Sequence, residues 1–350
     1  MKTSGSNALP VLLTLAASCA LVGAAHAHHS FATHYDASKS TQLTGVVTKW
    51  DFRSPHSFIF MNVPKDGGGA TPYEVELHSL PVLTRMGFSA STFKPGDRIT
   101  VNAWPNRSPT NALVFGIGVI TAGGVSLGEF PPIRDVKSAF LTASGTARVQ
   151  GRWQAPRPGE PTSFTRPMSL TPAGLEAVAS YDPQKSPANA CEPYNVPGTF
   201  LTPYMFDIRI GEREAVIRQE AYNVTRRVPL GATAAQVEPT GVFGKARARI
   251  EGNELVVESS AYPASGWGLA LAVDENGLGA DIPSSTQKTV VERFSVSDDG
   301  LTLNVRYTVN DPVYLTKPFT GTAKLDRVAD DSPIYVFKCE LDSAARFSHP

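Results

Sequence analysis

Short β-type runs separated by tight-turn sequences make up most of this chain, and this pattern constrains its fold more than any other feature. The 350 residues include 29 glycines and 28 prolines. Chain reversals at that frequency favour short strands over long helices. The length predicts about two domains, and a hydrophobic content of 41% is enough to build a core for each. We therefore predict an all-β protein.

The first block of β patterns has the element order of an OB-like, five-stranded barrel, namely three strands, a helix and two strands. Gly45 lies within the first run, where a sharp bend lets one strand serve two sheets. The predicted elements are strands at Gln42–Phe52, Ser57–Val63 and Tyr73–Leu77, a helix at Ser79–Met86 that begins at a Ser79 cap and ends at Gly87, and strands at Arg98–Ala103 and Leu113–Thr121.

The second block contains about eight β runs, several of them joined by hairpin-type turns. An initial Gly151-Arg152-Trp153 before such a meander is similar to lipocalin-type barrels. We therefore predict a larger antiparallel meander that closes as a lipocalin-like barrel or a strongly curved sheet. The predicted strands are Tyr204–Ile210, Glu214–Tyr222, Gly244–Ile250, Leu255–Ser260, Thr289–Ser297, Leu301–Val309, Phe319–Val328 and Ile334–Cys339.

The first 27 residues have the pattern of a secretory signal peptide. Lys2 precedes an apolar run that ends in Ala25-His26-Ala27, an A-x-A cleavage site. We expect export to a bacterial periplasm or the medium, a mature chain that starts at His28, and no transmembrane segment after it. A lipoprotein anchored through Cys19 is the alternative, although the residues before Cys19 lack the expected leucine.

The remaining organisation follows from composition. We predict an OB-like barrel over residues 28–124, a Pro- and Gly-containing linker over residues 125–150, and the larger β domain over residues 151–350. After cleavage the chain retains Cys191 and Cys339, which we expect to form one disulfide in an oxidising compartment. Closing a loop of this length stabilises the fold by roughly 5 kcal/mol in the chain-entropy model.

Charge and motifs exclude several classes of function. The formal net charge is zero and no long Lys/Arg run is present, which makes nucleic acid an unexpected partner. Nucleophile elbows, phosphate loops, dinucleotide fingerprints and H-E-x-x-H motifs are all missing from the sequence. The sequence therefore favours a binding protein over an enzyme, with an unrecognised hydrolase as the remaining enzymatic alternative.

Histidine is concentrated in the first block. Five of the six histidines after residue 27 lie at positions 28, 29, 34, 56 and 78. Cleavage before His28 gives that residue a free α-amine beside its imidazole, and together these form a bidentate nitrogen donor. A nitrogen donor set favours Cu(II). We predict a copper-like metal site at His28, with His29, His56 and His34 as the candidate partners, whereas solvated terminal histidines are the alternative.

Three further readings concern neighbouring residues. His78 ends a strand and is expected at the surface, and His34 can pair with Asp36. Glu74 and Glu76 share one strand face, either as outer acceptors for ligand histidines or as part of a solvated face.

The second block offers a different kind of site. The proline-containing loops at residues 191–197 and 311–318 can rim a cavity for a small apolar ligand, or they can plug the barrel. A carrier of such a ligand is therefore the alternative function, and an envelope interaction module is another.

Several separated motifs of the first block together resemble an uncharacterised family of exported bacterial proteins. They are His28-His29-Ser30-Phe31, Tyr35-Asp36, Leu43-Thr44-Gly45-Val46-Val47, Trp50, Pro55-His56 and Lys94-Pro95-Gly96-Asp97. The second block is similar to a region that accompanies this domain in secreted proteins. The family has Asn before Pro-His where this chain has Ser54. The resemblance implies export and the domain layout, and it implies no mechanism.

Overall fold

The computed structural model describes residues 34–129, 132–133, 135–155, 163–164, 168–233, 238–271 and 280–348. Strands dominate these residues and form a small closed barrel followed by a larger antiparallel sheet. The predicted all-β architecture is confirmed. Among the described residues, no helix combines the length and the hydropathy that crossing a membrane requires. The predicted signal peptide lies outside the described residues.

The small barrel has five main strands that pair in the order β3-β2-β1-β4-β5. Parallel pairing of β3 with β5 closes the ring, and a short sixth strand pairs with β5. The predicted strand bounds agree with the observed ones to within about three residues. The observed strands are Thr41–Asp51 (β1), Ser57–Pro64 (β2), Ala70–Leu77 (β3), Arg98–Trp104 (β4), Leu113–Ile120 (β5) and Ser126–Leu127 (β6).

Strand β1 closes the barrel because it belongs to both of its halves. Its first part, from Thr41 to Val46, pairs with β4, and its second part, from Val46 onwards, pairs with β2. The change of partner occurs next to Gly45, where a Cβ atom would lie only 2.4 Å from the carbonyl oxygen of Asn62. Glycine is required because the backbones of β1 and β2 approach so closely there. The prediction that β1 serves both halves is confirmed, whereas the irregularity in its register lies between Val47 and Lys49 and not at Gly45.

A single helix turn covers the barrel between β3 and β4. Helix α1, Leu80–Arg85, buries Pro81, Val82 and Leu83, and Gly87 follows with a positive φ of 89°. The predicted cap was wrong, because the side chain of Ser79 makes no capping hydrogen bond. The hydroxyl of Ser54 accepts the bond from the Leu80 amide instead, at 3.2 Å.

The larger sheet follows a nine-strand path in the order β11-β10-β9-β7-β18-β17-β16-β13-β12. A short strand, β8, pairs with β18, and β14 with β15 forms a separate two-stranded sheet. The strands are Gly151–Gln154 (β7), Ser163–Phe164 (β8), Met205–Ile210 (β9), Glu214–Gln219 (β10), Thr225–Pro229 (β11), Lys245–Glu251 (β12), Glu254–Ser260 (β13), Ser265–Ala270 (β14), Ile282–Ser284 (β15), Thr289–Val296 (β16), Thr302–Asn310 (β17) and Phe319–Val328 (β18).

The two end strands of this path meet. Every neighbouring pair along the path is antiparallel, so the first and last of nine strands run in the same direction. They are joined by one parallel bridge between Leu230 and Ala248. The predicted antiparallel meander is thus confirmed as a sheet that curls until its ends touch.

Among the predictions for the second block, strands β7, β8, β11, β14 and β15 were missed and one predicted strand is not formed. Strand β11 was missed because its sequence carries Arg226 and Arg227 side by side, and Arg226 is buried only through an ion pair with Glu292. The predicted strand Ile334–Cys339 is extended chain without strand pairing. That segment leaves the larger sheet and runs to the small barrel, where Cys339 forms a bridge with Ser54.

The interior of the larger sheet is filled with side chains. Phe200 stacks on Phe206 and Tyr307, and all three are fully buried. The guanidinium of Arg327 in β18 covers the ring of Trp153 in β7, at 4.0 Å from the ring centroid. The contact joins two neighbouring strands of the sheet. Residues 145–149 of the predicted linker form a 3-10 turn whose Val149 belongs to this core.

Short helices complete the chain, and one of them spans Pro172–Ala179 (α2). Its cap is Thr171, whose hydroxyl accepts from the Gly174 amide. The last helix is Leu341–Ala344 (α3), and a 3-10 turn follows at Ala345–Ser348.

The two β units are packed together. Tyr204 and Phe337 of the second block lie in the core cluster of the small barrel. Arg85 of α1 donates to both carboxylate oxygens of the buried Glu220 at 2.8 Å. The predicted disulfide between Cys191 and Cys339 is present, with a sequence separation of 148 residues.

Candidate functional site

The loop between β1 and β2 places His56 at one end of the small barrel. Two hydrogen bonds connect the ends of this loop. The Ser57 hydroxyl donates to the Arg53 carbonyl oxygen at 2.8 Å, and the Arg53 amide donates to the same hydroxyl at 3.1 Å. Ser54, which replaces the asparagine of the similar family, is buried and faces α1. His56 is therefore presented by a short, well-fixed loop.

A buried carboxylate orients the imidazole of His56. Nδ1 of His56 lies 2.7 Å from Oε1 of Glu76, which projects from β3. The other oxygen of Glu76 accepts a short hydrogen bond from the hydroxyl of Tyr35. Each carboxylate oxygen therefore has a partner, which a buried carboxylate needs to remain stable.

Burial keeps the Tyr35 hydroxyl protonated. Desolvation, followed by the charge of Glu76, raises the pKa of Tyr35 well above 10. The phenol thus remains a hydrogen-bond donor to Glu76 throughout the physiological pH range. Tyr35, Glu76 and His56 therefore form one hydrogen-bonded row. Tyr35 and Glu76 are buried, whereas 29% of the His56 side-chain surface is accessible to solvent.

His78 lies beside this row and is not the surface residue that the sequence predicts. Its ring is half-buried and meets the ring of Phe115 edge to face, with centroids 5.1 Å apart. Burial lowers the pKa of His78 to about 4, assisted by His56 and opposed by Glu76. His78 is therefore a neutral imidazole near neutral pH.

Phe115 is the centre of the aromatic packing under the site. Its ring contacts Tyr35 at 5.6 Å and lies nearly parallel to Trp104 at 5.8 Å. These rings belong to different elements, because Trp104 ends β4 and Phe115 lies in β5. The packing fixes Tyr35, and through it the carboxylate that holds His56.

Only some of the predicted ligands fall within the described residues. His28 and His29 lie outside them. His34 lies at the edge of the site, because its carbonyl oxygen accepts from the Arg107 amide and the next residue, Tyr35, reaches Glu76. Asp36 was the expected partner of His34. Its carboxylate instead forms an ion pair with Lys39 at 2.8 Å and accepts a hydrogen bond from the Ser38 hydroxyl.

The described residues supply a partial donor set. Among them, no group of three or more His, Cys, Asp or Glu side chains is arranged to hold a metal ion. His28 is six residues upstream of His34, a length of chain that spans at most about 20 Å.

The end of the chain covers the same face of the barrel. We call Glu340–Ser348 the C-terminal strap. The Ser343 hydroxyl donates to the carbonyl oxygen of His56 at 2.8 Å. Arg346 binds the carboxylate of Glu74 at 2.6 Å and lies over the ring of Phe58 at 4.4 Å. Cys339, at the base of the strap, is joined to Cys191.

The predicted cavity loops of the second block are closed. Asn195 and Val196 are buried, and both accept hydrogen bonds from the ammonium group of the fully buried Lys288. Burial lowers the pKa of Lys288 to about 7, while Asp311 and Glu292 act to raise it. Leu315 of the other loop belongs to the main core. Of the two readings of these loops, the structure favours the plug.

Sequence reasoning missed the groups that organise the site. The sequence allowed two roles for Glu76, as a hydrogen-bond acceptor for a ligand histidine or as part of a solvent-exposed strand face. It did not decide between them because carboxylates alternate with apolar residues in β3. Its burial follows from pairing with β2, where Phe58 lies opposite, and from the contact with Tyr35. No local sequence signal indicates the C-terminal strap, since its contacts join residues nearly 300 positions apart.

Comparison with known proteins is consistent with the resemblance read from the motifs. Residues 16–114 match the model of a family of unknown function, DUF6152. The match covers the candidate ligands His28, His29, His34 and His56 and extends into β5. No curated protein matches the chain.

Proposed function

We propose that this chain is an exported, non-catalytic binding protein that holds a copper-like ion at His56 together with His28. One observation carries the proposal, the 2.7 Å contact between Nδ1 of His56 and Oε1 of Glu76. A histidine that ligates a metal typically donates its other ring N–H to a carboxylate, which fixes the tautomer and orients the ring. Glu76 provides this carboxylate, and Nε2 is then the nitrogen directed to the metal.

The rest of the donor set comes from the start of the mature chain. The α-amine and the imidazole of His28 are two nitrogen donors on one residue, and His56 adds a third. His29 and His34 are the candidates for a further position. Neutral nitrogen donors in this number suit Cu(II), which also ranks highest among the divalent first-row ions.

Export is part of the proposal because the amine is exposed only by cleavage after Ala27. The disulfide between Cys191 and Cys339 supports it, since such bonds persist in oxidising compartments outside the cytoplasm. We place the protein in the periplasm or the medium.

A Cu(II) titration of the mature chain tests the terminal chelate. In one preparation His28 keeps its free α-amine, and in the other that amine is acetylated, which removes it as a nitrogen donor. We expect acetylation to weaken Cu(II) binding by about tenfold or more, equivalent to at least 1.4 kcal/mol. Equal affinities in the two preparations would rule out the chelate.

A pair of matched variants tests the role of the carboxylate. Glu76→Gln removes the charge that orients His56, and we expect about 10- to 100-fold weaker Cu(II) binding. Glu214→Gln is the control, because Glu214 is a largely exposed carboxylate on the larger sheet that pairs with Arg227. An equal loss in both variants would show that Glu76 has no special role.

A further inference from the structure

The C-terminal strap links the candidate metal site to a disulfide. Cys339 is followed immediately by the strap, and its partner Cys191 belongs to the second block of the chain. Both cysteines are partly exposed, so a small thiol can reach the bond. The only covalent constraint on the base of the strap, apart from the chain itself, is therefore one that thiols can open.

The strap is held by buried packing as well as by polar contacts near the surface, because Ser343 and Ala344 are fully buried. Arg53 forms an ion pair with Asp342, whose side chain is 72% exposed, and Arg346 pairs with the half-exposed Glu74. Exposed ion pairs of this kind hold a segment only weakly. The Glu340 amide donates to the Ser54 carbonyl oxygen at 2.9 Å, and Ser343 donates to that of His56.

The strap touches the site itself. Two of its hydrogen bonds end on the loop that carries His56, and the guanidinium of Arg346 covers Phe58, which lies directly opposite Glu76. The strap thus restricts the movement of the loop that carries His56.

We infer that the strap is a disulfide-locked cover, and that reduction of Cys191–Cys339 releases it and opens the way to His56. This inference rests on the proposed function for its purpose, although release of the strap is measurable without metal. An external dithiol supplies the electron pair. One of its thiolates attacks a cysteine sulfur, the S–S bond breaks, and the second thiol resolves the mixed disulfide, so that the protein gains two thiols and the reductant becomes a disulfide.

The experiment compares three forms of the mature protein. They are the oxidised chain, the chain reduced with dithiothreitol and then alkylated and desalted, and the Cys191→Ser, Cys339→Ser double variant. Hydrogen exchange of the amides in residues 341–348 reports the strap. Modification of His56 by diethyl pyrocarbonate, located by peptide mass, reports access to the imidazole without any metal.

We expect hydrogen exchange of the strap and modification of His56 to increase by about tenfold or more in the reduced and double-serine forms. The reason is that the disulfide no longer limits local opening of the strap. A chain truncated after Glu340 gives the fully open reference value for the modification of His56. Unchanged exchange and unchanged His56 modification on reduction would overturn the inference.

Two additional arms keep the result interpretable. If the double variant is unfolded, Arg346→Gln with an intact disulfide serves in its place, and we expect a smaller increase in both signals. A Cu(II) association rate measured on the oxidised and open forms separates the two proposals. Release of the strap without any Cu(II) binding refutes the proposed function alone, whereas tight Cu(II) binding with a strap that stays closed refutes the cover alone.

Discussion

The two β units bury charged groups in different ways. In the larger sheet, Arg226 and Glu292 form a bidentate pair at 2.9 and 2.6 Å, and both are enclosed on every side. In the small barrel, Glu76 is equally well paired, but its partner His56 has an exposed edge. Similar chemistry therefore serves an internal structural role in one unit and orients a partly exposed histidine in the other.

The difference is one of access. An enclosed ion pair with all of its charge compensated contributes to the specificity of packing and has no route to a ligand. A pair at the end of a barrel can exchange a partner. The comparison predicts that mutations in the larger sheet act mainly on stability, whereas those at the small barrel act on ligand binding as well.

The largest effect on stability is expected from breaking the enclosed pair. Arg226→Met leaves the carboxylate of Glu292 buried without its partner, which should lower the free energy of unfolding by about 3 to 5 kcal/mol. Urea denaturation of the oxidised protein measures it. The double variant Arg226→Met, Glu292→Leu removes both charges and should recover most of the loss. Failure of the double variant to recover would show that the pair stabilises the sheet in its own right.

A smaller loss is expected at the open pair. Glu76→Gln removes the charge and leaves one acceptor oxygen in place of two, so that either His56 or Tyr35 faces the amide NH2 group, which should cost about 1 to 3 kcal/mol. The same denaturation series, with Glu74→Gln as the reference, measures the loss. A cost as large as that of Arg226→Met would contradict the distinction between the two units.

The pH dependence of stability sharpens the comparison at His78. The pKa of this residue is about 4 in the folded chain and 6.5 when exposed. Between these two pH values His78 is therefore protonated in the unfolded chain and neutral in the folded chain. Stability from this group is present above pH 6.5 and is lost as the pH falls toward 4. We expect a loss on the order of 1 kcal/mol.

His78→Gln provides the control for this prediction, because glutamine does not titrate. Unfolding curves of the two proteins between pH 7.5 and pH 4 should converge as the pH falls. Parallel curves over the whole range would show that His78 is not desolvated.

The smallest effect is expected at an exposed pair outside both sites. Glu214 and Arg227 form a 2.6 Å contact with largely exposed side chains on the larger sheet. Glu214→Gln should change the unfolding free energy by less than about 0.5 kcal/mol and should leave Cu(II) affinity unaltered. A change in affinity would indicate an effect transmitted from the larger sheet to the metal site.

The sequence predicts the fold better than it predicts the site, for physical reasons. Alternating apolar residues and glycine turns are local signals, which is why the strands of the small barrel and the role of Gly45 follow directly from them. Strand β11 was missed because an arginine on its inner face is compensated by Glu292, 66 residues away. His56 was predicted as a ligand from its residue type and its loop.

The environment of His56 depends on tertiary contacts that the sequence does not show. Tyr35 is 41 residues from Glu76, and Ser343 is 287 residues from His56. The predicted disulfide was available from counting cysteines, but its position at the base of the strap was not. Long-range pairing of polar groups is thus the information that local patterns lack.

A spin-echo measurement on the Cu(II)-loaded mature protein tests the central claim most directly. The remote ring nitrogen of each coordinated imidazole modulates the echo, so the spectrum counts the bound histidines. We predict that two or more imidazoles are coordinated in the natural chain and that His56→Gln loses one of them. An identical spectrum in the two proteins would show that His56 is not a ligand and would contradict the proposed site.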